Sequence, residues 1–216
     1  MILLEKEHYY KVLKPLQGVS INHLFARAVV EKKISGKIYV DNLINPKTFY
    51  VIESYGMSLL FGDWTNTTFN NSFKDYALNT NHIRDNYEWM QTFPDNWNDM
   101  LSSLFGNILV ESAENKKETG VIELNTRVNF KFCYEKYVNR KKKVIDNILE
   151  IGIETNNEFR RKGFAELVCC KLIDFCISNK YEPIWSCRLE NTGSYMLAQK
   201  VGFEVAYKKP YYRLSK

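Results

Sequence analysis

The spacing of apolar and polar residues changes several times along the chain, and each change predicts a different element. In the first part of the chain, apolar residues at helical spacing predict a short amphipathic helix over residues 3–14 that is ended by Pro15. The same spacing predicts a helix over residues 20–31 that is capped by Ser20. Runs rich in β-branched and aromatic residues then predict three short strands, at 37–40, 48–53 and 57–61.

The middle of the chain is less regular. Residues 66–105 are rich in Asn, Asp and aromatic residues, and we expect this segment to be helical in pieces, with a new helix starting at Pro94. A polar run without periodicity, residues 114–120, follows and is the candidate domain boundary. We therefore predict an N-terminal α+β domain over residues 1–115 and a second domain over residues 116–216.

The second domain has a cleaner alternation of strands and helices. Its predicted elements are strand residues at 120–133, a loop at 139–143, a strand at 148–153, a helix at 163–179, a strand at 183–185, a helix at 191–200, and strands at 203–207 and 211–214. The predicted fold class of the whole chain is α+β.

The charge distribution along the chain indicates the charge of a binding partner. The chain has 216 residues and is 45% hydrophobic and 25% charged, which excludes collagen-like, coiled-coil and disordered chains. Residues 1–115 contain 10 Lys and Arg against 13 Asp and Glu, whereas residues 116–216 contain 20 against 12. The basic second part suggests an anionic partner, which could be nucleic acid, a membrane surface or a phosphorylated cofactor.

Other features of the sequence indicate where in the cell the protein is expected. The apolar run at the N-terminus is four residues long and is followed by Glu5, so we expect no secretory signal, and no run is apolar enough to cross a membrane. The five cysteines form no CxxC pair and the three histidines are scattered, so we expect no metal site. These features favour a cytoplasmic protein in a reducing compartment.

The loop before the helix at 163–179 has the clearest chemical signal. Arg160, Arg161, Lys162 and Gly163 stand where that helix begins. A helix N-terminus leaves backbone N–H groups unpaired and suits an anion, and glycine lets the backbone approach a ligand closely. Arginine pairs with phosphate through two hydrogen bonds. The pattern predicts a pyrophosphate site, and the alternative is a solvated basic turn.

A second segment of interest follows this loop in the sequence. It starts at Asn191 and ends at Gly202 and Phe203. Taken alone, Asn191 is explained as a helix N-cap and Gly202 as a helix C-cap. Its combination with the basic loop is more informative than either segment by itself.

Together the two segments resemble the GNAT acetyltransferase superfamily. Arg160, Gly163 and Ala165 are similar to its R-x-x-G-x-A pyrophosphate loop, and the segment from Asn191 is similar to its N-x-x-S…L-A-x-K-x-G-F motif. The resemblance covers residues 120–216 and implies a mixed twisted sheet with flanking helices.

A narrower resemblance points to a bacterial branch that includes the zwittermicin A resistance acetyltransferase and has its own N-terminal domain. Pro183, Trp185 and Cys187 are similar to that branch, as is the segment at 56–63.

The resemblance implies acetyl-CoA as the co-substrate. The residues implied to hold it are Ile153, Thr155, Arg160, Arg161, Lys162, Gly163, Phe164, Ala165, Asn191 and Ser194. Backbone groups near Ile153 and Thr155 would pair with the pantetheine arm between two splayed parallel strands, and amides of residues 161–165 would bind the pyrophosphate. Asn191 would hydrogen-bond the pantetheine, with help from Ser194.

Acetyl transfer to an amine requires a base, because an amine is protonated at neutral pH. Glu150 and Glu154, four residues apart on the cofactor strand, are the candidates, and Glu123 on an earlier strand is another. The alternative for each is a solvent-facing residue or an ion-pair partner.

The family's usual general acid, a tyrosine, is replaced here by Ala198. Tyr195 is the nearest substitute, and Tyr207, Tyr211 and Tyr212 are further candidates.

The sequence therefore favours an acetyl-CoA-dependent N-acetyltransferase that acts by direct attack of a primary amine of a small molecule. The departure at Ala198 motivates the alternative, a non-catalytic CoA-binding or sensor module that keeps the fold. The mild overall charge of +5 argues against nucleic acid as the partner. We expect a monomer or a homodimer, with the N-terminal domain on the acceptor side.

Overall fold

The structure is a computed structural model that describes residues 1–84, 86–111, 120–133, 148–156 and 160–214. The chain forms two compact units, the first made of Met1–Asn125 with Pro210–Lys216 and the second of Thr126–Lys209. The predicted boundary at 114–120, except for Gly120, and the predicted loop at 139–143 lie outside the described residues. The division into residues 1–115 and 116–216 stays a prediction.

The elements of the first unit follow the chain from its N-terminus. Its helices are α1 (Tyr10–Gln17), α2 (Leu24–Val30), α3 (Thr67–Ala77) and α4 (Asn96–Phe105). Its strands are β1 (Ile2–Leu3), β2 (Gly36–Val40), β3 (Thr48–Glu53), β4 (Met57–Gly62), β5 (Glu88–Phe93) and β6 (Leu109–Glu111). The boundaries between the units fall within two long strands, β7 (Ile122–Phe132) and β10 (Phe203–Leu214).

The sheet of the first unit has the order β1-β2-β3-β4-β5-β10. Its neighbouring strands are antiparallel, except that β4 and β5 are parallel and place Met57 opposite Trp89. Helix α3 makes the crossover between this parallel pair, as parallel neighbours require. At the edge of β5, Tyr212 of β10 lies opposite Met90.

Aromatic side chains fill the core of the first unit. Trp97 of α4, Phe73 of α3 and Tyr50 of β3 are completely buried in one cluster. Asn66 caps α3, because its side-chain oxygen accepts a hydrogen bond from the Phe69 N–H at 3.0 Å. This core packs α3 and α4 against the sheet.

The segment 66–105 is helical at both ends, as predicted, but its middle contains the strand β5. Polar and charged residues such as Glu88 and Gln91 obscured this strand, yet both are almost fully buried. Pairing with β4 on one edge and β10 on the other determines the structure here, and local composition does not.

Pro15 was predicted to end a helix, and Pro210 lies between the two strands predicted at 203–207 and 211–214. Neither proline interrupts the element that contains it. Helix α1 begins later than predicted, at Tyr10, and continues through Pro15 to Gln17. A proline removes one helical hydrogen bond, but Val12 and Leu16 on the buried face hold the helix across this point. Likewise, β10 continues through Pro210 as one strand. Helix α2 also starts later than predicted, at Leu24.

The second unit is smaller. Besides parts of β7 and β10, its described elements are β8 (Ile148–Glu150), α5 (Phe164–Ser178), β9 (Glu182–Arg188) and α6 (Thr192–Lys200). Its strands have the order β10-β7-β9-β8, in which β7 and β9 are antiparallel while β8 and β9 are parallel. The predicted α+β class with a mixed sheet is confirmed.

The two faces of this second sheet differ in chemistry. Val128, Phe130 and Trp185 point to the face that packs into one hydrophobic cluster with Ile173 of α5 and Ala198 of α6. The opposite face presents polar side chains of β7, β8 and β9, which are described below with the site.

The cysteines are all free where the structure describes them. Cys169, Cys176 and Cys187 are buried, as is typical of cysteines that pack as small apolar side chains. Cys170 is exposed, because it falls on the outer side of α5. Among the helices that the structure describes, none combines the length and the apolar character that crossing a bilayer would demand.

Candidate active site

The parallel strands β8 and β9 are paired only over a short stretch. Their ladder ends where Glu150 lies opposite Ile184, and one further hydrogen bond joins the Ile151 N–H to the Ile184 carbonyl at 2.8 Å. Strand β9 then continues to Arg188 along its other neighbour, β7. The chain after Ile151 leaves the ladder and leads to the basic loop, where the predicted cleft would lie.

Gly163 is the residue that turns this loop into helix α5. It is the N-cap of a 15-residue helix and has a left-handed backbone, with φ of 80° and ψ of −3°. Glycine adopts this conformation without the penalty that a Cβ brings. A Cβ added there would meet no atom within 4 Å. A larger residue is therefore disfavoured at this position by the backbone conformation and not by a lack of space. The backbone is therefore open to a ligand.

Arg160 closes the loop onto the strand end. Its Nε donates a hydrogen bond to the Thr155 carbonyl at 3.0 Å, in an exposed setting. Arg161, next to it, also has a left-handed backbone, with φ of 60°. Both arginines lie just before the N-terminus of α5, where the helix dipole favours an anion.

A cavity of about 720 Å³ joins the two segments that were singled out from the sequence. Its lining consists of Thr155, Arg160, Arg161, Gly163, Phe164, Ala165 and Glu166 from the loop and α5, with Gly193, Met196, Leu197, Gln199 and Lys200 from α6. Its volume lies within the roughly 300–1,000 Å³ typical of small-molecule sites. The lining contains six of the predicted cofactor residues.

The other four predicted cofactor residues are not in this lining as far as the described chain shows. Asn191 caps α6, with its Oδ1 accepting a hydrogen bond from the Ser194 N–H at 3.2 Å. The Ser194 hydroxyl in turn accepts a hydrogen bond from Trp185 Nε1 at 3.1 Å. Ile153 packs against the hydrophobic cluster of the second unit, and Lys162 is exposed.

Several lining residues were not identified as site residues from the sequence. Met196 is 66% exposed and Phe164 is 48% exposed, so the cavity has apolar walls open to a ligand. Lys200 Nζ and Glu166 Oε2 form an ion pair at 2.6 Å that links α6 to α5. The spacing of Gly193, Met196 and Lys200 along one face of α6 was the signal that could have found this wall.

Glu150, a predicted catalytic residue, lies in a network on the polar face of the second sheet. An Nη atom of Arg127 on β7 donates to Glu150 Oε1 at 3.1 Å and to the Ser186 hydroxyl at 2.6 Å. The Ser186 hydroxyl also donates to Glu150. The Arg127 side chain is 6% exposed and that of Glu150 is 24% exposed, so this is a largely buried ion pair.

An unsatisfied amide accompanies this network. Asn129 lies on β7 opposite Ser186, is 4% exposed, and has no hydrogen-bond partner for either side-chain polar atom among the described residues. Glu154, the other predicted base, is exposed and lies beyond the end of β8.

Tyr195, the predicted acid, packs its ring edge-on against Phe130 with 5.4 Å between centroids. It is not in the cavity lining as described. Ala198, which replaces the family's tyrosine, is completely buried in the core, and there is no side-chain hydroxyl at this point of α6.

Three of the remaining candidates, Glu123, Tyr211 and Tyr212, are bonded within the first unit. Glu123 forms an ion pair with Arg213. The Tyr212 hydroxyl donates to Asn98 Oδ1 at 2.8 Å, and burial raises its pKa well above that of a free tyrosine. Tyr211 stacks on Trp89 with ring centroids 5.4 Å apart.

No group of three or more His, Cys, Asp or Glu side chains that could hold a metal ion is found in the described ranges. The donor set around the cavity, with arginines, a lysine and backbone amides, suits an anion and not a cation.

The chain is similar to known acetyltransferases in a family match, in sequence and in fold. Residues 142–212 match the family model described as GNAT acetyltransferase. The chain is 22% identical to the uncharacterized N-acetyltransferase YdfB of Bacillus subtilis, over 90% of this chain and 92% of that protein. It also superimposes on a GCN5-related N-acetyltransferase-like protein from Streptococcus suis with a TM-score of 0.61 at 15% identity, covering 96% of this chain and 98% of that chain.

Residues 142–212 thus match the GNAT acetyltransferase family model, and the fold is similar to that of a GCN5-related N-acetyltransferase-like protein. The predicted resemblance to the GNAT acetyltransferases, and the GNAT-like form of the fold, are confirmed. The narrower resemblance to the branch of the zwittermicin A resistance acetyltransferase is not tested by these matches and stays a prediction.

Proposed function

We propose that the chain is an acetyl-CoA-dependent N-acetyltransferase that acetylates a primary amine of a small molecule by direct attack. The observation that carries this proposal is the single cavity lined by both GNAT-like segments, with an open helix N-terminus and two arginines at one side.

The lining residues fit acetyl-CoA, which would supply the acetyl group as a thioester. Backbone N–H groups at the start of α5, together with Arg160 and Arg161, suit the pyrophosphate. Phe164, Met196 and Leu197 offer apolar contact to the pantetheine arm. Because the Thr155 carbonyl already accepts a hydrogen bond from Arg160, we assign the strand-like contacts to backbone groups near Ile153 and to the Thr155 N–H.

Glu150 is the base that we favour over Glu154. Arg127 and Ser186 hold its carboxylate in place at the point where the β8–β9 ladder ends. It would take the proton from the acceptor ammonium, directly or through water. The amine nitrogen then forms the new C–N bond while the C–S bond breaks, and the departing thiolate takes a proton from Tyr195 or from solvent.

Calorimetry tests the cofactor assignment. Acetyl-CoA should bind the native protein and should bind Gly163→Asp much more weakly, because the new carboxylate would face the pyrophosphate. If both proteins bind it alike, or neither binds it, the loop assignment is wrong.

A kinetic assay tests the reaction. We expect release of free thiol from acetyl-CoA in the presence of some member of a panel of small primary amines, and much slower release by Glu150→Gln. The buried Ala198 at the tyrosine position favours a second candidate, a non-catalytic CoA-binding module. Tight binding of acetyl-CoA without thiol release for any amine would support that module instead.

A further inference from the structure

A second cavity lies within the first unit and has no role in the proposed reaction. It has a volume of about 210 Å³. Its lining lies at the start of β2, the end of β3 and the starts of β4 and β5. At roughly 30 Å³ for each water, the space holds about seven waters. It therefore suits a ligand smaller than the usual drug-sized molecule.

Arg84 provides a buried cation in the lining of this cavity. The residue is 7% exposed, its Nε donates to the Tyr76 carbonyl at 3.1 Å, and its Nη2 donates to the Ala77 carbonyl at 2.7 Å. Its guanidinium carbon lies 5.1 Å from the centre of the Tyr76 ring. These contacts fix the group, yet Nη1 is buried and has no hydrogen-bond partner among the described residues. A buried charged donor without an acceptor is costly, so Arg84 calls for an oxygen acceptor from a ligand.

Two buried carboxylates line the same cavity and differ in how they are bonded. Glu88 accepts hydrogen bonds from the hydroxyls of Tyr50 at 2.5 Å and Tyr76 at 2.6 Å, so both of its oxygens are engaged. Glu53 is 6% exposed and accepts a hydrogen bond from the Ser54 hydroxyl at its Oε1. The second oxygen of Glu53 has no partner among the described residues, which leaves it able to accept from a ligand ammonium group.

The charges around the cavity balance. Lys37 and Arg84 contribute two cations, and Glu53 and Glu88 contribute two acidic groups. A ligand with a net charge would leave one of the buried charged groups in the lining uncompensated, at an energetic cost. A ligand with one charge of each sign matches the unpartnered donor and the unpartnered acceptor together.

We propose that this cavity binds a small zwitterion, a free α-amino acid, with its carboxylate on Arg84 and its ammonium group on Glu53. The site is built from the first unit alone and does not depend on the acetyl-CoA cavity of the second unit.

A calorimetric titration of the native protein with the common free amino acids tests this. We expect at least one to bind. The methyl ester of that amino acid, which removes the carboxylate charge, should bind at least about tenfold more weakly. Its N-acetyl derivative, which removes the ammonium charge, should lose affinity to a similar extent.

The matched variants are Glu53→Gln, which removes the proposed ammonium partner with little change of shape, and Glu111→Gln, an exposed glutamate outside the cavity in the same unit. We expect Glu53→Gln to weaken binding about tenfold or more and Glu111→Gln to leave it unchanged. Both should unfold cooperatively and bind acetyl-CoA like the native protein, so a failure of the acetyl-CoA assignment is seen separately.

Three results would overturn the proposal. The first is that no free amino acid binds the native protein. The second is that the ester and the N-acetyl derivative bind as tightly as the parent amino acid. The third is that Glu53→Gln binds that amino acid with native affinity.

Discussion

Gly163 allows the charge and the shape of the proposed pyrophosphate-binding loop to be tested separately. Replacing it with Asn and with Asp adds side chains of nearly equal size that differ in one negative charge. Any effect of the left-handed backbone is common to both variants, and the comparison of Asp with Asn isolates the charge.

The expected effect on folding is small and shared. A residue other than glycine costs about 1–2 kcal/mol in the left-handed region, and Asn and Asp tolerate it better than most. Because a Cβ at this position would meet no atom within 4 Å, no clash adds to this cost. Both variants should therefore lose about 1 kcal/mol of unfolding free energy in urea.

The expected effect on binding comes from Coulomb repulsion. A carboxylate about 6 Å from a pyrophosphate with two negative charges costs about 1.4 kcal/mol at the dielectric constant of water, which is a tenfold loss of affinity. Calorimetry with acetyl-CoA should thus give an approximately tenfold higher Kd for Gly163→Asp than for Gly163→Asn. Added salt should reduce this difference by screening.

Equal affinities of the two variants for acetyl-CoA would refute the reasoning, because the loop would then not face the pyrophosphate. A difference that persists unchanged at high salt would refute it as well, since it would have to come from structure and not from charge.

Three further outcomes are expected. Arg127→Met should lower the free energy of unfolding in urea by about 2 kcal/mol. This is less than the cost of breaking a fully buried pair, because the Glu150 side chain is 24% exposed. An unchanged midpoint of urea unfolding would argue against the ion pair. Burial raises the pKa of Glu88 above its ordinary 4.5, so the folded protein holds this proton more tightly and loses stability as pH rises from 4.5 through the raised pKa. Glu88→Gln should flatten that part of the stability curve, and parallel curves would contradict this. A thiol reagent should label exposed Cys170 well before Cys169, whose pKa burial raises to about 11, as mass spectrometry of the native protein can show.

That residues of the basic loop would lie together beside a helix N-terminus was predictable, because the pattern is local. The charged run, the glycine and the start of the helix are consecutive in the sequence, and each has a meaning that depends little on the rest of the fold. The structure places Arg160, Gly163 and Ala165 together in one cavity. The N-cap explanation of Asn191, which the sequence also offered, agrees with the hydrogen bond that its side chain accepts from the Ser194 N–H, and its role toward a cofactor stays a prediction.

The network around Glu150 was not predictable, because its members come from three strands. Arg127, Glu150 and Ser186 are far apart in the sequence, and only the pairing of β7, β8 and β9 brings them together. No local pattern marks Arg127 as the partner of a candidate base.

Strand β5 escaped prediction for a related reason. Glu88 and Gln91 are typical of exposed segments, yet the sheet buries both. Their environment depends on strands that precede and follow them by many residues. Pairing thus determined the structure where local composition was ambiguous.

The C-terminal end of β10 has a consequence for how the chain is made. Tyr212 and Leu214 are completely buried in the core of the first unit, and Tyr212 pairs with β5. These residues are synthesised after residues 126–209 of the second unit, so the first unit cannot complete its own core until the second unit has been made. This contrasts with the usual order, in which an N-terminal domain folds first. A nascent chain that stops before residue 210 would leave an edge of β5 without its partner, exposed to pairing with other chains.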